Sequence, residues 1–227
     1  MEELNKLFNL TNEQILQFEK YYEILEEESK KYNLTSITSK EEVYIKHFYD
    51  SALPLKKIDL SNKKVIDVGS GAGFPGIPLK IVNPSIKMTL VEPTTKRANF
   101  LKMVIEKLNL KDIEVINDRA ENIINDYRES FDYATARAVA PLNILLELLT
   151  PFVKVNGSIL ALKGSSYNEE LMESKNAFKE LNVELTKIYH ESLPNELGER
   201  PIIVLTKTKQ TNKKYPRAYA QIKKKPL

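Results

Sequence analysis

The chain has 227 residues, enough for one good-sized domain and a small appendage. It is 42% apolar and 29% charged, the balance of a globular protein in water, and no apolar run approaches the roughly 20 residues of a membrane span. The absence of cysteine excludes disulfides, thiolate zinc sites and cysteine nucleophiles, and two histidines, His47 and His190, leave little for a protein-held transition metal. Neither a metal nor a membrane is expected, and the expected form is a monomer. The opening "MEELNKLFNL" carries acids where an export signal has basic residues, so a reducing cytoplasm is the expected compartment.

Residues 1 to about 50 read as helical. Thr11 and Gln14 form a capping-box signature, and Ile15, Phe18, Tyr22 and Leu25 follow at spacings of three and four. The turn-prone loop "NLTSITS" ends this helix, and a second short helix runs through "KEEVYIKHFYDSALPL". From Lys63 strand and helix alternate. The strands are "KVIDVG", "KMTLVE", "IEVIND", "FDYATARAV" and "GSILALKG". The helices that follow them in turn are "PGIPLKIVN", "TTKRANFLKMVIEKLNL", a short turn near 120–125, "PLNILLELLTPFV" and "YNEELMESKNAFKELN". Two last strands, "VELTKIYHESL" and "RPIIVLTKT", have no helix between them and read as a hairpin, so one runs antiparallel. Such alternation makes a mostly parallel sheet covered on both faces.

The net charge of +3 is uneven. From Lys207 onward there are eight basic residues and no acid, which leaves 26 basic against 31 acidic residues before it, a balance of −5. A mildly acidic body thus carries the tail "KTKQTNKKYPRAYAQIKKKPL". It is either a solvated, disordered tail or an arm whose cations meet nucleic-acid phosphates and release counterions. Length and charge do not choose between the two.

In an open parallel sheet, ligands sit beyond the carboxyl ends of the strands where the strand order reverses. The stretch "VIDVGSGAGFPGIPL", residues 65–79, runs from a strand into a turn with glycine at 69, 71, 73 and 76. Glycines there let the backbone turn tightly and approach a ligand with no side chain between. Glu92 ends the second strand about 20 residues after Gly71, placed to accept hydrogen bonds from ribose hydroxyls. Asp118 and Glu121 follow the third strand, where an adenine ring could be read. A tight turn at a crowded strand–helix junction is the bland alternative. "GAGFPG" also matches the dinucleotide pattern, so NAD and S-adenosyl-L-methionine are both candidates. The acid-x-glycine-x-glycine framing from Asp67, the prolines at 75 and 78 and the lack of a second large domain favour S-adenosyl-L-methionine.

Absences bear on the methyl acceptor. No "NPPY" or "DPPY" is present to grip an exocyclic amine, and without cysteine there is no attack on pyrimidine C6. Guanine N7 suits such a site because it has a free lone pair and no proton to remove. This is compatible with the sequence and does not follow from it alone.

The chain resembles the small-subunit ribosomal RNA methyltransferase G family, also called glucose-inhibited division protein B. The matching stretches are "YNLTSI" (32–37), "HFYDS" (47–51), the glycine turn, "KRANFL" (96–101), "RAE" (119–121), "ARAVAPL" (136–142), "LKG" (162–164) and "GERPIIVLTK" (198–207). The resemblance implies methylation of guanine N7 at one site in 16S ribosomal RNA, with the RNA or a small-subunit precursor as partner and S-adenosyl-L-methionine as cofactor. It implies a Rossmann-like class I methyltransferase fold, α/β, with a mostly parallel seven-stranded sheet. The expected division is an N-terminal helical extension (1–60), a cofactor-binding methyltransferase domain (61–207) and the basic tail (208–227).

On the matching positions, Gly69, Gly71 and Phe74 belong to the cofactor turn, with Phe74 packing on the methionine or ribose portion. Glu92 would bind ribose, and Ala120 and Glu121 would lie beside the adenine. Arg137 falls near cofactor and target base. Arg137 and Lys163 are the candidate catalytic residues, and His47, Lys96, Arg97, Arg200 and Arg217 the candidate RNA contacts. Each has a plainer reading. His47 and Asp50 are one helical turn apart and could be a helix-face pair. Lys163 could be a snorkelling surface lysine and Arg137 a structural ion pair. Lys96 and Arg97 oppose the dipole at a helix start, which points to a phosphate nearby. Two features depart from the family: the second-strand acid is Glu where some members have Asp, and the tail keeps "YPR" but ends "AYAQIKKKPL". The competing functions are a methyltransferase of this fold acting on another RNA, a protein or a small molecule, and a non-catalytic RNA-binding module.

Overall fold

The computed structural model describes residues 1–32, 34–37 and 39–227. Asn33 and Thr38, in the loop predicted after the long helix, lie outside the described residues, as does that part of the "YNLTSI" match. α1 (Glu2–Phe8) ends at Asn9, which takes a left-handed φ of 50°. α2 (Asn12–Tyr32) opens with the predicted capping box. Thr11 Oγ1 accepts from the Gln14 N–H at 3.2 Å, and Gln14 Oε1 accepts from the Thr11 N–H at 2.9 Å. The predicted second helix is not an ordinary α-helix. α3 (Lys40–Glu42) passes into a π-helical stretch (Val43–Tyr49), then α4 (Asp50–Ala52) and a 3-10 turn (Leu53–Lys56).

The strands are β1 (Lys64–Val68), β2 (Lys87–Val91), β3 (Ile113–Ile116), β4 (Phe131–Arg137), β5 (Val153–Leu162), β6 (Val183–Ser192) and β7 (Glu199–Lys207). They form one sheet in the order β3-β2-β1-β4-β5-β7-β6. β1 to β5 pair in parallel, and β7 inserts antiparallel between β5 and β6, as the helix-free hairpin predicted. The order reverses between β1 and β4.

The remaining helices are α5 (Gly76–Val82), α6 (Thr95–Lys107), α7 (Ala120–Tyr127), α8 (Leu142–Leu149), α9 (Tyr167–Glu173), α10 (Lys175–Leu181) and α11 (Tyr219–Lys224). The single helix expected over 167–182 is broken into α9 and α10 at Ser174. Its buried hydroxyl donates to the Glu170 carbonyl at 2.6 Å, the local bond that competes with helix continuation.

Two cores flank the sheet. On one face α2, the π stretch, α5 and α6 bury residues such as Phe18, Tyr21, Phe48 and Phe100 in one cluster with Leu90 of β2. On the other, α7, α8 and α10 cover Ile66, Ala134 and Ile159. The N-terminal helices meet the glycine turn through rings. Phe48 lies 5.1 Å from Phe18 and 5.0 Å from Tyr21, Tyr21 lies 5.8 Å from Phe74, and the Tyr21 hydroxyl donates to the Ala72 carbonyl.

Residues 208–227 are not a free arm, which corrects the disordered-tail reading. Tyr215 and Ile222 are buried, and the Tyr215 hydroxyl donates to Glu180 at 2.9 Å. Such burial repays the entropy of ordering the segment. Among the described residues no helix is long and apolar enough to cross a membrane.

Phe48→Ala should cost about 3–5 kcal/mol of stability, because the wholly buried ring joins the helical extension to the turn. Urea unfolding measures this, and a loss below about 1 kcal/mol would show that the extension packs independently of the sheet.

Candidate active site

The reversal between β1 and β4 brings the loops after these strands into contact. The N–H groups of Gly69 and Ser70 both donate to the Val91 carbonyl, at 2.8 and 3.2 Å, which ties the glycine turn to the end of β2. Gly69 has φ +74°, and a Cβ there would lie 2.8 Å from Val139 of the loop after β4. Its bareness is therefore required by the protein itself. Gly71, at φ +59°, faces open space, with nothing nearer a built Cβ than the Gly69 carbonyl at 3.9 Å. The open approach expected of the turn belongs to Gly71.

Two carboxylates back this turn. Asp67 is fully buried at the end of β1. Its Oδ2 accepts from the Gly76 N–H at 3.0 Å, while Oδ1 has no protein partner. Burial pushes its pKa up to about 7 against the opposing pull of the Gly76 hydrogen bond. Glu92 accepts from the Gly71 N–H at 2.9 Å and the Thr94 N–H at 2.8 Å, one bond to each oxygen. Each of its oxygens thus keeps a lone pair.

Arg137, at the end of β4, is held from several sides. Its Nη1 donates to the Lys46 carbonyl at 3.0 Å and to Asp50 Oδ2 at 2.9 Å. Its Nη2 lies 3.0 Å from His47 Nδ1, and the guanidinium sits 4.9 Å from the Phe74 ring centroid. His47 Nδ1 also lies 3.2 Å from the Lys46 carbonyl, but an arginine only donates, so the shorter contact assigns Nδ1 as the acceptor. That leaves the proton on Nε2, which donates to Thr35 Oγ1 at 2.8 Å. Burial first, and the neighbouring Arg137 charge second, lower the His47 pKa to about 4. The neutral ring stacks on Phe74 with centroids 4.5 Å apart. Phe74 is thereby buried among Tyr21, Phe48, His47 and Arg137.

A cavity of about 510 Å³ opens beside this cluster, lined among others by His47, Asp50, Arg137, Ala140, Lys163 and Arg200. Lys163 donates to the Ala140 carbonyl at 2.8 Å and pairs with Glu170 at 2.7 Å. Arg200 Nε lies 3.2 Å from Asp50 Oδ1, so one buried carboxylate holds two arginines. Burial raises the Asp50 pKa while Arg137 and Arg200 oppose the shift. The structure thus brings together His47, Arg137, Lys163 and Arg200.

Other expected residues fall elsewhere. Ala120 is buried at the start of α7, and Glu121 beside it accepts from the Tyr219 N–H at 3.4 Å. Lys96 and Arg97 are exposed in the first turn of α6. Arg217, expected on RNA, is turned inward. Its Nε and Nη2 reach the two oxygens of the fully buried Glu147 at 2.8 and 2.6 Å. That charge is paired within the fold. Sequence reasoning passed over Glu170, whose Oε2 also accepts from the Leu142 N–H at 2.7 Å at the start of α8. No local signal marks it among the acids of its helix.

The rRNA small subunit methyltransferase G family model matches residues 14–199. This chain belongs to that family. Ribosomal RNA small subunit methyltransferase G of Mycoplasma capricolum is 48% identical over 204 residues, covering 90% of this chain and 87% of the relative. That of Leuconostoc citreum is 44% identical over 223 residues, covering 96% and 93%. Among solved structures, a SAM dependent methyltransferase from Aquifex aeolicus has a TM-score of 0.56 at 18% identity, covering 74% of this chain and 94% of that one. TYW2 of M. jannaschii, in complex with AdoMet, has a TM-score of 0.57 at 16% identity, covering 75% and 77%. The fold is the Rossmann-like methyltransferase fold that the sequence led one to expect.

The folded pKa of His47 lies below its ordinary 6.5, so between 6.5 and about 4 the unfolded chain binds a proton that the folded chain refuses. This residue's contribution to stability should be complete above 6.5 and decline as the pH falls towards 4. Denaturant midpoints of the protein and of His47→Gln, compared at pH 7 and pH 5, isolate the effect: the variant should lack this loss. Nitrogen NMR showing a cationic His47 at pH 5.5 would contradict the assigned tautomer.

Proposed function

We propose that this chain transfers a methyl group from S-adenosyl-L-methionine to N7 of a guanosine in 16S ribosomal RNA. The observation that carries the choice of N7 is that the ionisable groups lining the cavity are committed to partners. Both His47 nitrogens are engaged, Asp50 is held by two arginines, and Glu170 is held by Lys163 and a backbone N–H. A cavity wall so arranged offers no idle general base; Asp67, with its free oxygen, is not part of that lining. Guanine N7 needs none, because its lone pair is free and it carries no proton. An exocyclic amine or a ribose hydroxyl would have to lose a proton. Positioning and electrostatics are then the protein's task.

The turn suits the cofactor. Gly71 faces open space, Asp67 Oδ1 is a buried acceptor without a partner, and Glu92 keeps a lone pair on each oxygen at a strand end. Gly71, Glu92, Ala120 and Glu121 would hold it. When bound, the cofactor supplies a methyl group on a positively charged sulfur. Phe74 serves this site from behind, as the surface against which Arg137 and His47 are set. Arg137, Lys163 and Arg200 orient the incoming nucleotide from the cavity wall, and Lys96 and Arg97 meet RNA from the start of α6.

Labelled S-adenosyl-L-methionine with purified 16S ribosomal RNA tests the reading. Label should appear in RNA and digest to 7-methylguanosine. Label in another base, in protein or in a small molecule would reject it. Arg137→Ala should lower turnover on bound RNA by roughly tenfold or more, equivalent to about 1.4 kcal/mol of barrier, with a smaller loss of RNA affinity. Normal turnover on bound RNA would remove Arg137 from the proposed role.

A further inference from the structure

One acid in the core remains without a part in the site. α8 reads "LNILLELL", and Glu147 is its lone acid, fully buried among leucines. It accepts three hydrogen bonds from Arg217 alone: from the backbone N–H at 3.0 Å, from Nε at 2.8 Å and from Nη2 at 2.6 Å. A buried ion pair adds little stability over an apolar contact of the same size, and its best-attested use is to fix the register of the segments it joins. Here it fixes how the last 20 residues lie on the body.

Those residues run as a strap over α7 and α8. The strap begins near the amino end of β4, where Arg128 donates to the Tyr215 carbonyl at 2.7 Å. It is pinned at Glu147 and reaches the carboxyl edge of the sheet, where the Tyr219 N–H meets Glu121 in the first turn of α7. α11 then seats Ile222 on Ile144 and Leu148 in a cluster that includes Ala140, a wall residue of the cavity. Arg217 Nη2 also donates to the Lys225 carbonyl at 3.1 Å, which fastens the far end of α11. The result is a rigid mount. What it presents is charge: Lys223, Lys224 and Lys225 are exposed, and among the described residues none of them forms an ion pair.

We infer that this strap is a docking surface for the phosphate backbone of RNA, with Arg217 and Glu147 as its positioning pair and Lys223, Lys224 and Lys225, at the end of α11 and just after it, as its phosphate contacts. The inference rests on the RNA substrate proposed above. It differs from a flexible basic arm in one respect. Lysines on a fixed mount bind a backbone at a set distance from the nucleotide in the cavity, so they contribute to selection of the site as well as to general affinity.

The test measures affinity for 16S ribosomal RNA and for poly(U) between about 50 and about 200 mM salt. Combined Lys223→Ala, Lys224→Ala and Lys225→Ala should make the slope of log affinity against log salt shallower by about 2 to 3, at about 0.7–0.9 per contact. Arg217→Ala keeps all three lysines and releases the mount, so preference for 16S RNA over poly(U) should fall by about tenfold or more while much of the slope remains. An unchanged slope in the triple variant, with the intact protein binding and methylating RNA, overturns the docking surface and leaves the enzyme reading standing. Unchanged preference in Arg217→Ala overturns the positioning pair. If the intact protein shows no salt-dependent RNA affinity, the RNA reading fails and this inference fails with it.

Discussion

Arg137 ends the fourth strand largely withdrawn from water, and a guanidinium in that position must find acceptors and counter-charge within the protein. It finds them in segments far from it in sequence. The π-helical stretch provides the Lys46 carbonyl and His47 Nδ1, and the residue after it provides the Asp50 carboxylate. Asp50 then takes Arg200 on its other oxygen, which draws the β6–β7 hairpin towards the same point. The neutral state of His47 follows from the same charge. A donor pressed on Nδ1 and a buried ring beside a cation leave no room for a second proton. The helical extension is therefore a wall of the cavity, where composition alone would allow it to be an appendage.

The glycine turn obeys a related constraint. The loops after β1 and β4 approach so closely that Gly69 has no space for a side chain against Val139. Phe74 is enclosed by rings from the N-terminal helices and by the guanidinium of Arg137. Gly71 is left as the open position, with the buried carboxyls of Asp67 and Glu92 behind it. Packing has thus divided the glycines of one motif between two tasks, close contact within the fold and room for a ligand.

Much of the architecture was legible because it depends on near neighbours. The alternation of apolar strands with helix-length segments set the sheet, and the capping box at Thr11 and Gln14 set the start of α2. Arg137, Lys163 and His47 could be named from their places at strand ends or in matching motifs. Their partners could not. Glu170 and Glu147 are ordinary acids in helical runs until the fold brings Lys163 and Arg217 to them. Ser174 stands in a stretch whose periodicity continues through it, and only its bond back to Glu170 shows the break.

The sequence by itself determined the fold class, the glycine turn after β1 and the family, since each is carried by periodicity or by residues close together in the chain. The tertiary structure decided what the charged groups do. Arg217 read as an RNA contact and Lys163 as a catalytic residue, yet one is anchored on a buried carboxylate and the other stands in the cavity wall. The basic tail likewise read as either a solvated tail or a phosphate-meeting arm, and it is a strap because Ile222 and Tyr215 find apolar surface and Arg217 finds a buried carboxylate. The reason is physical: backbone preferences act over a few residues, whereas the partner of a buried charge is chosen by whichever distant segment the packed core brings within hydrogen-bond reach.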